Sequence, residues 1–170
     1  MSRLSAGLVA ISLLALPALA QETAKGTFLN TKGDSIGTAT LTQTPQGVLV
    51  DVEVKGVPKG EHAFHIHETG QCDPKTGFKS AGGHYDPRGH QHGYKSEKGP
   101  HAGDMPNQFV PDSDILRAEV FNPNVTLKSG TGSLFDNDGS AIVIHAKADD
   151  YSSQPAGDAG DRIACAVVEK

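Results

Sequence analysis

Seven residues of metal-ligand type recur along the chain at spacings able to build two adjacent sites: His65, His67, His84, His92, His101, Asp104 and His145. Six of the eight histidines belong to this set. Imidazole suits copper and zinc, and a mixed nitrogen and carboxylate set suits zinc. His65 and His67 are two apart in the apolar stretch Ala63-Phe64-His65-Ile66-His67. On a strand, positions i and i+2 share a face, so both rings can reach one ion while Phe64 and Ile66 turn to the core. His145 ends Ala141-Ile142-Val143-Ile144-His145, where a second strand would present it rigidly. His84, His92, His101 and Asp104 follow at intervals of about 8, 9 and 3 residues in a Gly-rich segment. Three imidazoles and a carboxylate make a closed tetrahedral set, as structural zinc requires. Composition alone also allows a solvated His-rich loop without metal.

The elements that must position these groups read as all-β. Val48 to Val54 alternates apolar and mostly polar residues, and Ser35 to Gln43 is Thr-rich with the same alternation. Lys25 to Leu29, Ile115 to Phe121, Ala141 to His145 and Arg162 to Val168 read as further strands. Pro45-Gln46-Gly47 and Asn137-Asp138-Gly139 are turn signals. No stretch has a sustained helical period, so short strands and Gly-rich turns predict a sandwich or barrel. Residues 68–113 stand apart, with eight Gly, five Pro and no clear strand or helix pattern. A loop of that length is a candidate for function, and here it carries Cys72 and four of the seven ligand-type residues.

Residues 1–20 read as a cleaved export signal: Arg3, an apolar run from Leu8 to Leu16, then Ala18-Leu19-Ala20 as the cleavage pattern. The apolar run is too short for a resident membrane span. Residues 21–170 are then one secreted domain, starting at Gln21. The full chain carries a formal charge of −5, and losing Arg3 makes the mature chain more acidic. That balance argues against nucleic acid as a partner. Cys72 and Cys165 are the only two cysteines. In an oxidising compartment pairing is the default, and a thiolate ligand to copper is the alternative.

Five runs occur in order: Gly60-Glu61-His62-Ala63-Phe64-His65-Ile66-His67, Ser80-Ala81-Gly82-Gly83-His84-Tyr85-Asp86-Pro87, His101-Ala102-Gly103-Asp104, His145-Ala146-Lys147-Ala148-Asp149-Asp150 and Gly160-Asp161-Arg162-Ile163-Ala164-Cys165. Together they resemble the copper/zinc superoxide dismutases, over roughly residues 24–169. The resemblance implies an eight-stranded Greek-key β-sandwich or barrel, immunoglobulin-like, with a long metal-binding loop. It implies copper on His65, His67, His84 and His145, and zinc on His84, His92, His101 and Asp104, His84 bridging the two. Asp149 would accept hydrogen bonds from His65 and His92, and His62 would support the site without binding metal. Cys72 and Cys165 match the family disulfide, which pins the metal-bearing loop to the last strand. His92 fits the family spacing better than His90, which reads as an exposed loop residue.

The implied activity is disproportionation of superoxide to dioxygen and hydrogen peroxide in the cell envelope, with His84 moving a proton and Arg162 orienting the anion. A negatively charged substrate meets a negatively charged chain, so a local cationic path is needed. The segment from His145 to Arg162 is short and holds one lysine, Lys147, which resembles the bacterial periplasmic branch. Lys75, Lys79, Lys95 and Lys98 on the long loop are candidates for steering. Two other functions compete. A copper or zinc buffer or carrier could use the same ligands, but has no use for an anion-orienting Arg162. A zinc hydrolase would need an open coordination position, which a four-ligand zinc set denies. Monomer and homodimer are both compatible with the sequence.

Overall fold

The computed structural model describes residues 21–170, so the export-signal reading of residues 1–20 lies outside the described residues. Eight strands form: β1 (Thr23–Asn30), β2 (Ser35–Thr44), β3 (Gly47–Lys55), β4 (Gly60–His67), β5 (Asp104–Val110), β6 (Ile115–Asn122), β7 (Ala141–His145) and β8 (Arg162–Val167). All are antiparallel in the order β5-β4-β7-β8-β1-β2-β3-β6. The terminal strands β5 and β6 lie against each other, so the sheet curls into a nearly closed barrel. Among the described residues the fold is all-β, and none of their helices is long and apolar enough to cross a membrane.

Alternation accounts for the core. Val48, Val50, Val52 and Val54 of β3 point inward and are essentially unexposed, as are Phe64 and Ile66 of β4 and Ile142 and Ile144 of β7. Each such side chain contributes about 1.5–3 kcal/mol by leaving water. The outer faces of β7 and β8 are also covered. Ala141, Val143 and Cys165 pack with Phe78 and Ala81 of the long loop in a second, smaller cluster. That is why Ala141–His145 is buried at every position and lacks the polar alternation of β3.

The strand β5 falls inside the segment that carried no strand pattern. Its sequence Asp-Met-Pro-Asn-Gln-Phe-Val holds a proline, and its pairing to β4 is irregular between His62 and Phe64. An end strand tolerates Pro106 because one ladder bond is not required there. The rest of residues 68–103 is loop with two short 3-10 turns, Pro74–Thr76 and Lys79–Ala81. The Cys72–Cys165 disulfide anchors this loop to β8 and closes 93 residues of chain. By the loop-entropy argument it stabilises the fold by about 4–5 kcal/mol.

Candidate metal centre

The site sits on the outside of the barrel, where β4 and β7 run side by side under two loops, residues 68–103 and 146–161. Because Phe64 and Ile66 face the core, His65 and His67 face outward together, yet both are fully buried by the loops. His145, at the end of β7, is also buried. His84 reaches β4 through an isolated bridge between its backbone and that of His67.

Two sets of ligand atoms converge. One atom each from His65, His67, His84 and His145 lie within 4.8 Å of one another, and the same holds for His84, His92, His101 and Asp104. His84 belongs to both. Its Nδ1 lies 2.8 Å from Asp104 Oδ1, while its Nε2 is buried without a partner. His92 Nδ1 is 3.1 Å and His101 Nδ1 3.5 Å from the same Asp104 oxygen. Across the centre, His67 Nε2 and His145 Nε2 are 3.3 Å apart.

The outward-turned nitrogens are fixed by their surroundings. Asp149 takes His65 Nε2 on one carboxylate oxygen and His92 Nε2 on the other, each at 2.9 Å. His65 Nδ1 is thereby left facing inward without a partner. Gly82 carbonyl accepts from His67 Nδ1 at 3.0 Å, which turns Nε2 inward. His62 lies outside both sets, with its ring nitrogens 2.7 Å from the carbonyl oxygens of His145 and Pro58. His90 is also outside, paired with Asp86 at 3.0 Å.

The electrostatics favour neutral rings on one side and charge on the other. Burial pushes His84 down to about 4, with Asp104 opposing, and pushes His145 down to about 2, helped by His65 and His84. His67 is lowered for the same reasons, burial first. Burial also lowers His92, but its hydrogen bonds to the Asp104 and Asp149 carboxylates outweigh that and raise the ring to about 9. Burial would raise Asp104 and Asp149, but their histidine partners hold both well below the usual carboxylate range. A metal ion at the second set would replace the proton on His92.

The donor atoms test the fit for metals. Three buried ring nitrogens without partners, His65 Nδ1, His84 Nε2 and His101 Nδ1, are costly to bury unless something binds them. All three belong to the convergent sets. Four imidazoles match copper, and three imidazoles with one carboxylate match zinc.

Beside His145 opens a cleft of about 410 Å³, lined by residues 153–156, residues 158–160 and Arg162. Arg162 donates from Nη1 to Phe78 carbonyl at 2.7 Å and from Nη2 to Gly82 carbonyl at 2.6 Å. Burial lowers its pKa, opposed by Glu68, but an arginine remains cationic. The Gly82 oxygen therefore holds both the His67 ring and the cation at the cleft mouth.

Sequence reasoning missed the residues that hold the loops. Asn107 pairs its carboxamide with both backbone groups of Asp149, accepting at 2.8 Å and donating at 3.0 Å. Gln154 does the same to His92. Neither has a motif signal, because the partners are remote in sequence.

An antiparallel β-barrel bearing two nitrogen-rich ligand sets that share one imidazole defines a dinuclear metalloprotein. Residues 35–168 match the family described as copper/zinc superoxide dismutase (SODC). A superoxide dismutase [Cu-Zn] 2 of Aquifex aeolicus is 50% identical over 172 residues, 99% of each chain. A superoxide dismutase [Cu-Zn] of Caulobacter vibrioides is 42% identical over 140 residues, 81% of this chain and 80% of its own. The Cu/Zn superoxide dismutase structure from Brucella abortus superimposes with a TM-score of 0.71 at 28% identity, covering 87% of this chain and 100% of its own. The chain belongs to the copper/zinc superoxide dismutase family, bacterial in type. It is an oxidoreductase whose cofactors are copper and zinc and whose substrate is superoxide.

Proposed function

We propose that copper is held by His65, His67, His84 and His145, and zinc by His84, His92, His101 and Asp104. The convergence of both sets on His84, with its Nε2 buried and unpartnered, is the observation that carries this reading. Copper when bound supplies a one-electron acceptor and donor, whereas zinc has no redox chemistry and supplies charge and geometry. The protein residues do the rest. Arg162 draws superoxide into the cleft and orients it beside His145. Whenever its Nε2 is free of metal, His84 would take a proton there from solvent and give it to the peroxide product, and Asp104 Oδ1 lies 2.8 Å from its Nδ1. Asp149 sets the tautomers of His65 and His92 together, so one carboxylate keeps both halves in register. His62 supports His145 through its backbone oxygen.

We also infer that residues 1–20 direct export, that residues 21–170 form the single working domain, and that the protein acts in the periplasm. Arg3, the Leu8 to Leu16 run and the Ala18-Leu19-Ala20 site support that reading, and a disulfide fits an oxidising compartment. Lys75, Lys79, Lys95 and Lys98 are the proposed steering charges. Lys79 follows Phe78, whose carbonyl holds Arg162, whereas Lys95 Nζ is committed to Asp150 carbonyl at 3.0 Å.

The test uses protein recovered from the periplasm, whose first residue on this reading is Gln21. Superoxide dismutation is measured after loading with copper and zinc, beside zinc alone. Copper-dependent turnover that His145→Ala abolishes is the expected outcome. Stoichiometric copper binding without turnover would instead describe a carrier, and a different first residue would remove the export site.

A further inference from the structure

The wall of the substrate cleft and the zinc side of the centre are built from different loops, yet one side chain joins them. Gln154 lies in the cleft-lining segment. Its Oε1 accepts from the His92 backbone N–H at 2.9 Å, and its Nε2 donates to the His92 carbonyl at 2.8 Å. The second amide hydrogen goes to Ser152 carbonyl at 3.1 Å. Every donor of the carboxamide is thus committed, and its pairing with His92 copies one rung of an antiparallel ladder.

The backbone next to His92 is pressed against Tyr151, three residues before Gln154. Gly93 lies so close to Tyr151 that a Cβ there would stand 2.1 Å from Tyr151 carbonyl oxygen, and Lys95 N–H donates to that oxygen at 3.0 Å. His92 is fully buried, but neither it nor Gln154 belongs to a strand. No ladder therefore holds the His92 backbone, and the carboxamide takes that role.

We propose that Gln154 is a positioning residue: by pairing with both backbone groups of His92 it holds a zinc ligand and the cleft wall as one unit. This rests on zinc being held by His84, His92, His101 and Asp104. Gln154 belongs to neither ligand set. It acts by ordering His92 before zinc arrives, so that less freedom is lost on binding. Loss of the clamp should weaken zinc selectively and loosen residues 151–158, leaving the strand-held His65, His67 and His145 in place.

The experiment compares wild type, Gln154→Ala, Gln154→Glu and His101→Ala, all loaded with copper and zinc. Zinc and copper affinities are read by chelator competition, the copper(II) spectrum by electron paramagnetic resonance, and the loop by hydrogen exchange. Gln154→Ala should bind zinc about tenfold more weakly and exchange faster at residues 151–158, with copper affinity and the zinc-saturated copper spectrum unchanged. Gln154→Glu sets a carboxylate oxygen against the His92 and Ser152 carbonyls, so it should weaken zinc at least as much as Gln154→Ala. Zinc affinity within about twofold of wild type in Gln154→Ala, or parallel loss of both metals, would overturn the proposal. His101→Ala separates the two levels. If it still holds zinc like wild type, the ligand assignment is wrong; if it loses zinc while Gln154→Ala does not, only the clamp is wrong.

Discussion

At the scale of single residues, the centre depends on which ring nitrogen each histidine turns inward. Asp149 commits His65 Nε2, Gly82 carbonyl commits His67 Nδ1, and the opposite nitrogens turn into the cluster. Arg162 shares the Gly82 oxygen with His67 but belongs to neither ligand set, and on the proposed reading its part is to orient the anion. Arg162→Ala should therefore lower kcat/KM by about 10- to 100-fold with both metals retained, in line with lost electrostatic focusing. Stopped-flow dismutation with metal analysis checks this, and full activity without the arginine would contradict it. The titrations give a second expectation for metal-free protein. His84 is held down near 4 and His145 near 2 when folded, both against an ordinary value of 6.5. Below that ordinary value the unfolded chain takes up protons that the folded chain refuses, so stability falls as pH drops from about 6.5 towards 4. His92 is raised to about 9, so its contribution is complete below 6.5 and is lost as pH rises through 9. Thermal melts of metal-free protein should show a stability maximum near pH 6.5, and bound metal, by replacing the proton on His92, should remove the fall above that pH. A melting temperature that rises on acidification from there would refute it.

At the scale of elements, rigid strands and tied loops divide the work. His65, His67 and His145 come from β4 and β7, whose ladder fixes them directly. Of the other members of the two sets, His84, His92 and His101 lie in the long loop and Asp104 opens β5, while the loops are held by the disulfide, by Asn107 on Asp149 and by Gln154 on His92. Gly157 closes the loop over the joint. It has φ +70, and a Cβ there would fall 1.8 Å from Asp149 Oδ1 and 2.7 Å from His92 Nε2. Gly157→Ala should displace the carboxylate and weaken zinc about 10- to 100-fold, the range for losing an outer partner of a metal ligand. Chelator competition reads this, and wild-type zinc affinity would show that the joint tolerates the intrusion.

At the scale of the whole molecule, a chain of formal charge −5 must attract an anion. The local cations have to outweigh the distant acids, and salt screens that advantage over about 10 Å at 0.1 M. Dismutation should slow as ionic strength rises. Neutralising Lys79, beside the Arg162 anchor, should flatten that dependence. If neutralising Lys95 and Lys98 leaves rate and salt dependence unchanged, those two play no part in steering.

Much of this was legible along the chain because it is local. Alternation in Val48–Val54 and the His65-x-His67 spacing follow from the period of a strand, and both give an inner and an outer face without knowledge of the fold. The residue types of both ligand sets and the presence of just two cysteines are likewise plain in the sequence. What only the tertiary structure decided is non-local. The strand β5 carries Pro106 and exists because β4 offers it an edge, not because its own residues prefer to be extended. Burial of every position in Ala141–His145 comes from a loop packed on the outer face. The carboxamide clamps join residues 62 apart, Gln154 to His92, and 42 apart, Asn107 to Asp149. Hydrogen bonds across such separations leave no periodic trace, since an Asn or Gln in a loop has the same local chemistry with or without a remote backbone to hold.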